Sequence, residues 1–132
     1  MSAFIWPVRV YYEDTDSGGV VYHANHLRFF ERARTEWLRS KGFEQDGLRE
    51  QHRLLFTVHS LDIRYLKPVR FNDLLQVSTR VDTPRRASLV FDQRILTEDM
   101  QATFCRAMVR VACVDSCTHA PRPIPDALMR TI

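Results

Sequence analysis

Between Tyr12 and His23 the chain sets three carboxylates, Glu13, Asp14 and Asp16, beside the glycine pair Gly18-Gly19. The run ends on a histidine where a helical pattern begins. Glycine lets a backbone take tight or left-handed turns, and a helix start leaves several N–H donors unpaired. Those donors, at the positive end of the helix dipole, can hold an oxyanion as it develops. A carboxylate in the preceding loop can attack a carbonyl held there, or deprotonate a water that does. Asp16 stands nearest the glycines, ahead of Glu13 and Asp14 as the candidate. The plainer reading is that Asp14 or Asp16 only closes an Asx turn.

Other constellations carry less. His23 and His26 stand three apart at the helix start, but two histidines lack the further ligands of a zinc site, so no metal is expected and His23 reads as a polar group of the site. Glu31, on the helix, reads as a surface pair with Arg34 or neighbours on the Thr35 side; Arg32 and Glu36 read as a solvated i,i+4 pair. The chain has no G-x-S-x-G elbow, P-loop or G-x-G-x-x-G, so serine-hydrolase, NTPase and dinucleotide chemistry lack their machinery.

The elements that must position these residues follow from periodicity. Leu27, Phe30, Ala33, Arg34, Trp37 and Leu38 recur at helical spacing, with Asn25 as N-cap and Gly42 as the stop, predicting a helix over 24–41. Ile5 to Tyr12 reads as a strand. Later, Leu61/Ile63/Tyr65, Leu75/Val77/Thr79/Val81, Leu89/Phe91/Ile95 and Val109/Val111 alternate with polar or charged residues, the pattern of half-solvated antiparallel strands. The breaks at Lys67-Pro68 to Asn72-Asp73, Thr83-Pro84-Arg85-Arg86 and Glu98-Asp99-Met100-Gln101 suit hairpin or near-hairpin connections. Strands this long imply a large curved sheet. The expected architecture is α+β: a five-stranded antiparallel sheet wrapped around one long helix. Such a sheet leaves an edge strand unpaired, a liability commonly removed by joining two sheets across a two-fold axis, so a homodimer is the minimum assembly.

Size and composition bound the rest. At 132 residues, 45% of them hydrophobic and 27% charged, the chain is expected to be one domain over 1–132 with a real core. There is no repeat or low-complexity run. The start, Met1-Ser2-Ala3-Phe4-Ile5-Trp6-Pro7-Val8-Arg9, lacks a basic segment followed by an apolar run, and no later stretch approaches a membrane span, which predicts a cytoplasmic location. Cys105, Cys113 and Cys117 form no C-x-x-C pair and are expected as buried free thiols. The net charge of +3, mostly arginine, suits nucleic acid, acidic lipid or a phosphorylated molecule. No nucleic-acid reading module accompanies it, so no nucleic-acid partner is expected.

The string Asp14-Thr15-Asp16-x-x-Gly19-x-Val21-x-His23-x-Asn25-x-x-x-x-Phe30-Glu31-x-Ala33-Arg34 resembles the signature of the 4-hydroxybenzoyl-CoA thioesterase family of hotdog-fold proteins, most closely the branch of acyl-CoA thioesterases encoded with the Tol–Pal envelope system. Tyr65-Leu66-Lys67-Pro68, Asn72-Asp73, Ser88-Leu89-Val90-Phe91 and Arg122-Pro123-Ile124-Pro125 extend the likeness nearly end to end. The resemblance implies hydrolysis of an acyl-CoA thioester to a free acid and coenzyme A, with no cofactor beyond the coenzyme A of the substrate. It makes Asp16 the catalytic carboxylate, starts at His23 the helix whose backbone N–H polarises the thioester, and lines the site with Tyr12 and His23. Gly19, Val21, Tyr22 and Asn25 belong to the same substrate-binding turn. The acyl chain and coenzyme A would lie in a groove between subunits of a homodimer or homotetramer. An acyl carrier protein is an alternative carrier of the acyl group. Lys67, Arg70, Arg85, Arg86 and Arg94 are candidates to meet the phosphates, because guanidinium groups bind phosphate oxygens bidentately. His26 departs from the pattern, many relatives having a tyrosine after the asparagine, which bears on substrate preference. A different class also fits the fold: a non-catalytic acyl-CoA or acyl-carrier binding module in which Asp16 only forms the turn.

Overall fold

A computed structural model describes residues 3–132; Met1 and Ser2, part of the start read above for a leader, lie outside them. Strand β1 (Phe4–Arg9) is followed by a 3-10 turn over Tyr12–Asp14, helix α1 (His26–Ser40) and helix α2 (Gln45–His52). Strands β2 (Leu54–Tyr65), β3 (Leu74–Pro84), β4 (Ser88–Leu96) and β5 (Thr103–Asp115) come next, and a short α3 (Asp126–Met129) ends the succession. The five strands form one antiparallel sheet in the order β1-β3-β4-β5-β2. With α1 against its inner face, this is the hotdog arrangement.

The apolar stripe of α1, Phe29, Phe30, Ala33, Trp37 and Leu38, is buried against inward residues of the sheet such as Val77, Ile95, Ala107 and Val109. Burial of each large apolar side chain stabilises by roughly 1.5–3 kcal/mol. Trp37 meets Phe91 edge-on, ring centroids 5.1 Å apart. One polar bolt runs through this interface: buried Gln93 donates to the Phe30 carbonyl at 3.0 Å and to Thr79 Oγ1 at 2.9 Å, and accepts from Arg34 Nη1 at 2.9 Å. The bolt fixes the height of α1 over the sheet and with it the loop before the helix.

Several expectations need correction. The helix begins at His26, not 24, because residues 22–25 form a separate turn in which the Asn25 N–H donates to Tyr22 O at 2.7 Å. Its stop is as expected. Gly42, at φ +89°, donates to Arg39 O, and the Phe43 N–H reaches back to Leu38 O, a Schellman closure that needs the left-handed residue. α1 is not the sole helix. α2 is mostly polar around one buried residue, Leu48, and α3 is a single turn around Leu128, so neither carries a readable stripe. β1 ends at Arg9 rather than Tyr12. The Arg32–Glu36 pair does not form; Glu36 takes Arg39 instead, which also meets Glu44 at 2.8 Å. Of the two partners read for Glu31, the Thr35 side is the one met, Thr35 Oγ1 donating to it at 3.2 Å, while Arg34 turns inward to Gln93.

The largest correction concerns the segment from Leu66 to Asp73. β2 pairs with β5 at one edge of the sheet and β3 with β1 and β4 near the other, so this segment is no hairpin but a crossing over the end of the sheet. The hairpin readings at 85–87 and 97–102 hold, since each joins neighbouring antiparallel strands. No helix among the described residues is long and apolar enough to cross a membrane.

Candidate functional site

The signature loop is built on the crossing segment. The Val10 N–H donates to Asp73 O and the Asn72 N–H to Val10 O, both at 3.0 Å, which fastens the chain leaving β1 to the start of β3. After the 3-10 turn the backbone doubles back. Thr15 pairs with Val21, the Asp16 N–H donates to Val20 O at 2.9 Å, and the Gly19 N–H donates to Asp16 O at 3.0 Å. Val20 pairs in turn with Arg70, and the Val21 N–H donates to Val69 O at 2.8 Å. Gly19 sits at φ +80°, where any side chain is strained, so the tip of the loop requires it. Gly18 serves differently: a Cβ there would come within 3.2 Å of Asp16 Oδ1.

The two aspartates divide the work. Asp14 is 4% exposed. Its Oδ2 accepts the Tyr11 N–H at 2.8 Å, its Oδ1 accepts Asn25 Nδ2 at 2.9 Å, and its carbonyl accepts the Tyr22 N–H at 2.9 Å. Asn25 holds the expected N-cap position of α1, but its side chain makes no capping bond; it is committed to Asp14, and the pair clamps the approach to α1 onto the 3-10 turn. Asp16 lies exposed at the loop tip, where its Oδ1 accepts the Gly18 N–H at 2.8 Å. That is the Asx turn, and it occupies one oxygen only. Oδ2 makes no hydrogen bond among the described residues.

Replacing Asp14 with Ala leaves the Tyr11 N–H and the buried Asn25 amide without acceptors, at a cost of about 1–3 kcal/mol for each unsatisfied group. The expected loss is roughly 3 kcal/mol, or ~10 °C in Tm for a domain of this size. Asp16→Ala is expected to cost less than about 1 kcal/mol, as for most exposed positions. Thermal unfolding of the two variants side by side checks this division, and equal losses would contradict it.

Beyond the loop, Val21, His23, His26, Tyr65, Leu66, Lys67 and Pro68 line a cavity of about 290 Å³. His23 is exposed, with its ring 4.5 Å from that of Tyr22. Among the described residues, the backbone N–H groups of His23 and Ala24 find no backbone acceptor. Both lie in the turn that leads into α1, ahead of its first residue His26. His26 is buried, its ring edge-on to Tyr65 at 4.9 Å and its Nδ1 without a hydrogen bond. Burial holds its pKa below the usual histidine value, opposed in part by the carbonyls of Tyr22 and His23. The Tyr65 hydroxyl donates to His23 O.

The expected site residues thus fall into three places. Asp16 and Gly19 occupy the loop tip, and Val21, Tyr22, His23 and Asn25 the return and the turn before α1. Tyr12 is exposed and stacks on Phe71 of the crossing segment, centroids 4.2 Å apart, rather than on His23. Of the basic candidates, Lys67 borders the cavity and Arg70 pairs with the loop. Arg85 and Arg86 stand exposed in the β3–β4 connection, at the far end of an 11-residue strand, about 30 Å from the segment that holds the loop. Arg94 lies on the outer face of the sheet, 3.6 Å from Asp92. Glu31 lines a different cavity, of about 120 Å³, between α1 and the sheet.

Among the described residues no group of three or more His, Cys, Asp and Glu is placed to hold a metal ion. Cys105 and Cys113 are buried, their thiols pushed up to about 12 and about 11 by burial, whereas Cys117 is exposed, contrary to the expectation of three buried thiols. Sequence reasoning passed over Tyr65. It lies 42 residues from His23, and the available signal was its place at the end of an alternating strand just before Leu66-Lys67-Pro68.

Against known proteins, the thioesterase-like superfamily pattern matches residues 10–132. The chain is 45% identical over 126 residues to the acyl-CoA thioester hydrolase YbgC of Escherichia coli O157:H7, covering 96% of this chain and 92% of that protein. It is 47% identical over 124 residues to the acyl-CoA thioesterase YbgC of Haemophilus influenzae, covering 94% and 90% respectively. The crystal structure of a probable thioesterase from Bartonella henselae superposes with a TM-score of 0.88 at 35% identity, covering 94% of this chain and all of that one.

Proposed function

Because the chain belongs to the thioesterase-like superfamily, we propose that it hydrolyses acyl-CoA thioesters to a free acid and coenzyme A, with Asp16 as the reacting carboxylate. One observation carries the assignment of Asp16: of the two aspartates in the loop, Asp14 has both oxygens committed to holding the fold, while Asp16 keeps one oxygen free and exposed. That oxygen can attack the thioester carbon, giving an anhydride and releasing the thiolate, or can take a proton from the attacking water. Both routes pass through an oxyanion, and the N–H groups of His23 and Ala24, which among the described residues have no backbone acceptor, are the donors we assign to it; loss of one such donor typically costs about 100-fold or more. His23 offers a polar side chain beside them. The Asx turn is also what the acyl-binding-module reading predicts for Asp16, but the turn uses Oδ1 alone and leaves the chemistry of Oδ2 intact.

The thiol end of the substrate needs cations. Lys67 and Arg70 supply them beside the loop, and Arg85 and Arg86, too distant within one chain, supply them from a second protomer of a homodimer or homotetramer. The test is thiol release from short, medium, long and aromatic acyl-CoAs, compared with the same acyl groups on pantetheine, which lacks the nucleotide phosphates. Hydrolysis of at least one acyl-CoA is expected. The pantetheine ester is expected to show a KM raised by about tenfold or more with kcat little changed, because contacts remote from the carbonyl act as uniform binding. High salt should weaken the full substrate and spare the truncated one. Equal efficiency on both handles at low salt would refute the phosphate clamp. Absence of thiol release across the panel would return the protein to the binding-module class. An acyl carrier protein as the natural carrier would show as faster release from that carrier than from coenzyme A.

A further inference from the structure

Tyr65 closes β2, and the backbone just beyond it is tied to β5: the N–H groups of Leu66 and Lys67 both donate to Phe104 O, at 2.8 and 3.0 Å. Its phenol therefore stands on a rigid post. The ring is held edge-on by His26, the first residue of α1, which is itself 4% exposed and wedged in place. From that post the hydroxyl donates to the carbonyl of His23, 42 residues away, in the turn before the helix.

The consequence lies in the geometry of a peptide unit. The His23 carbonyl and the Ala24 N–H belong to the same planar, trans group, so they point in opposite directions and turn together. A hydroxyl that fixes the oxygen fixes the N–H. Accepting a hydrogen bond also polarises the unit and strengthens its donor, as in any hydrogen-bonded chain. An ordinary phenol is protonated, and so a donor, at neutral pH; Tyr65 is 48% exposed, and partial desolvation moves its pKa further up, not down. The Tyr65 hydroxyl is the side-chain donor that meets the His23 carbonyl directly, and the turn around it is otherwise held by the Asn25 N–H on Tyr22 O at 2.7 Å and a longer bond from the Leu27 N–H to Ala24 O at 3.3 Å, so without Tyr65 the unit is less firmly oriented.

We propose that Tyr65 is a positioning residue for hydrolysis: through its hydrogen bond to His23 O it aims and polarises the Ala24 N–H at the oxyanion. This rests on the hydrolase reading above. It touches no reacting atom and predicts an effect on turnover rather than on binding.

Tyr65→Phe removes only the hydroxyl and keeps the ring against His26, so folding is expected to persist. With the best acyl-CoA found for the unaltered protein, kcat should fall about tenfold while KM stays within about twofold, a fraction of the loss typical for deleting an oxyanion donor outright. Independently of activity, the backbone amide nitrogen resonance of Ala24 in the labelled full-length protein should move upfield, while amides of β4 stay in place. A purely packing role predicts neither change. Turnover within twofold of the unaltered protein, a rise in KM alone, or an unmoved Ala24 amide would each overturn the proposal and leave the hydrolase reading standing. If the unaltered protein released no thiol from any substrate, the hydrolase reading would fall, and the positioning role with it.

Discussion

Asp16→Asn is expected to fold like the unaltered protein and to lose at least about a hundredfold in kcat, the lower end for removing acid–base or nucleophilic help. The substitution is clean for a structural reason. The one hydrogen bond the Asp16 side chain makes among the described residues is the acceptance of the Gly18 N–H by Oδ1, and an asparagine oxygen accepts it equally well, so the Asx turn and the left-handed Gly19 remain as they are. What disappears is the free negative oxygen. An amide cannot form the anhydride or take a proton from water. The measurement is steady-state thiol release, with a peptide map to show that the introduced asparagine has not deamidated back to aspartate. Near-normal turnover in a variant verified to carry the amide would remove Asp16 from the chemistry. Attention would then pass to Glu31, the carboxylate that borders the cavity between α1 and the sheet.

The division between the two aspartates also marks where the sequence stops being readable. The signature string located the loop, the glycines located its turn, and Gly42 located the helix stop, because each depends on local backbone rules. Asp14 and Asp16 have the same side chain two positions apart, and only the course of the chain separates them. One is driven inward beside Tyr11 and Asn25, and the other is left at the tip. Asn25 holds the cap position its residue type suggested, but its side chain serves as the partner of a buried carboxylate, a tertiary bond that overrides the local capping preference. The segment from Leu66 to Asp73 had the proline and the Asn-Asp pair of a turn. Whether such a turn joins neighbours or crosses a sheet is decided by strand order, which no local pattern encodes. α2 was invisible because one buried leucine in eight residues makes no stripe. Tyr65 was legible as a strand residue, but its bond to His23 is a product of that same crossing.

Activity is expected to vanish with dissociation, and the reasons are visible within one chain. β2 is a 12-residue edge strand that, among the described residues, pairs only with β5. It carries Val58 at 49% and Leu61 at 41% exposure, an apolar edge of the kind that native sheets cover. The opposite edge, β1, is half as long and carries Pro7, which cannot donate to a new ladder. A second copy laid along β2 would close that edge. It would also bring Arg85 and Arg86 of one chain within reach of a loop that lies about 30 Å away in its own. Leu61→Arg places a charge at the proposed junction and is expected to yield a folded monomer with thiol release reduced by about a hundredfold or more, since the substrate groove is then bounded on one side by solvent. Dilution of the unaltered protein should reproduce that loss in the concentration range where light scattering shows it to dissociate, with recovery on concentration. A monomer that hydrolyses acyl-CoA at the full rate would end the shared-site proposal, and the cations that meet the phosphates would then have to be Lys67 and Arg70 alone.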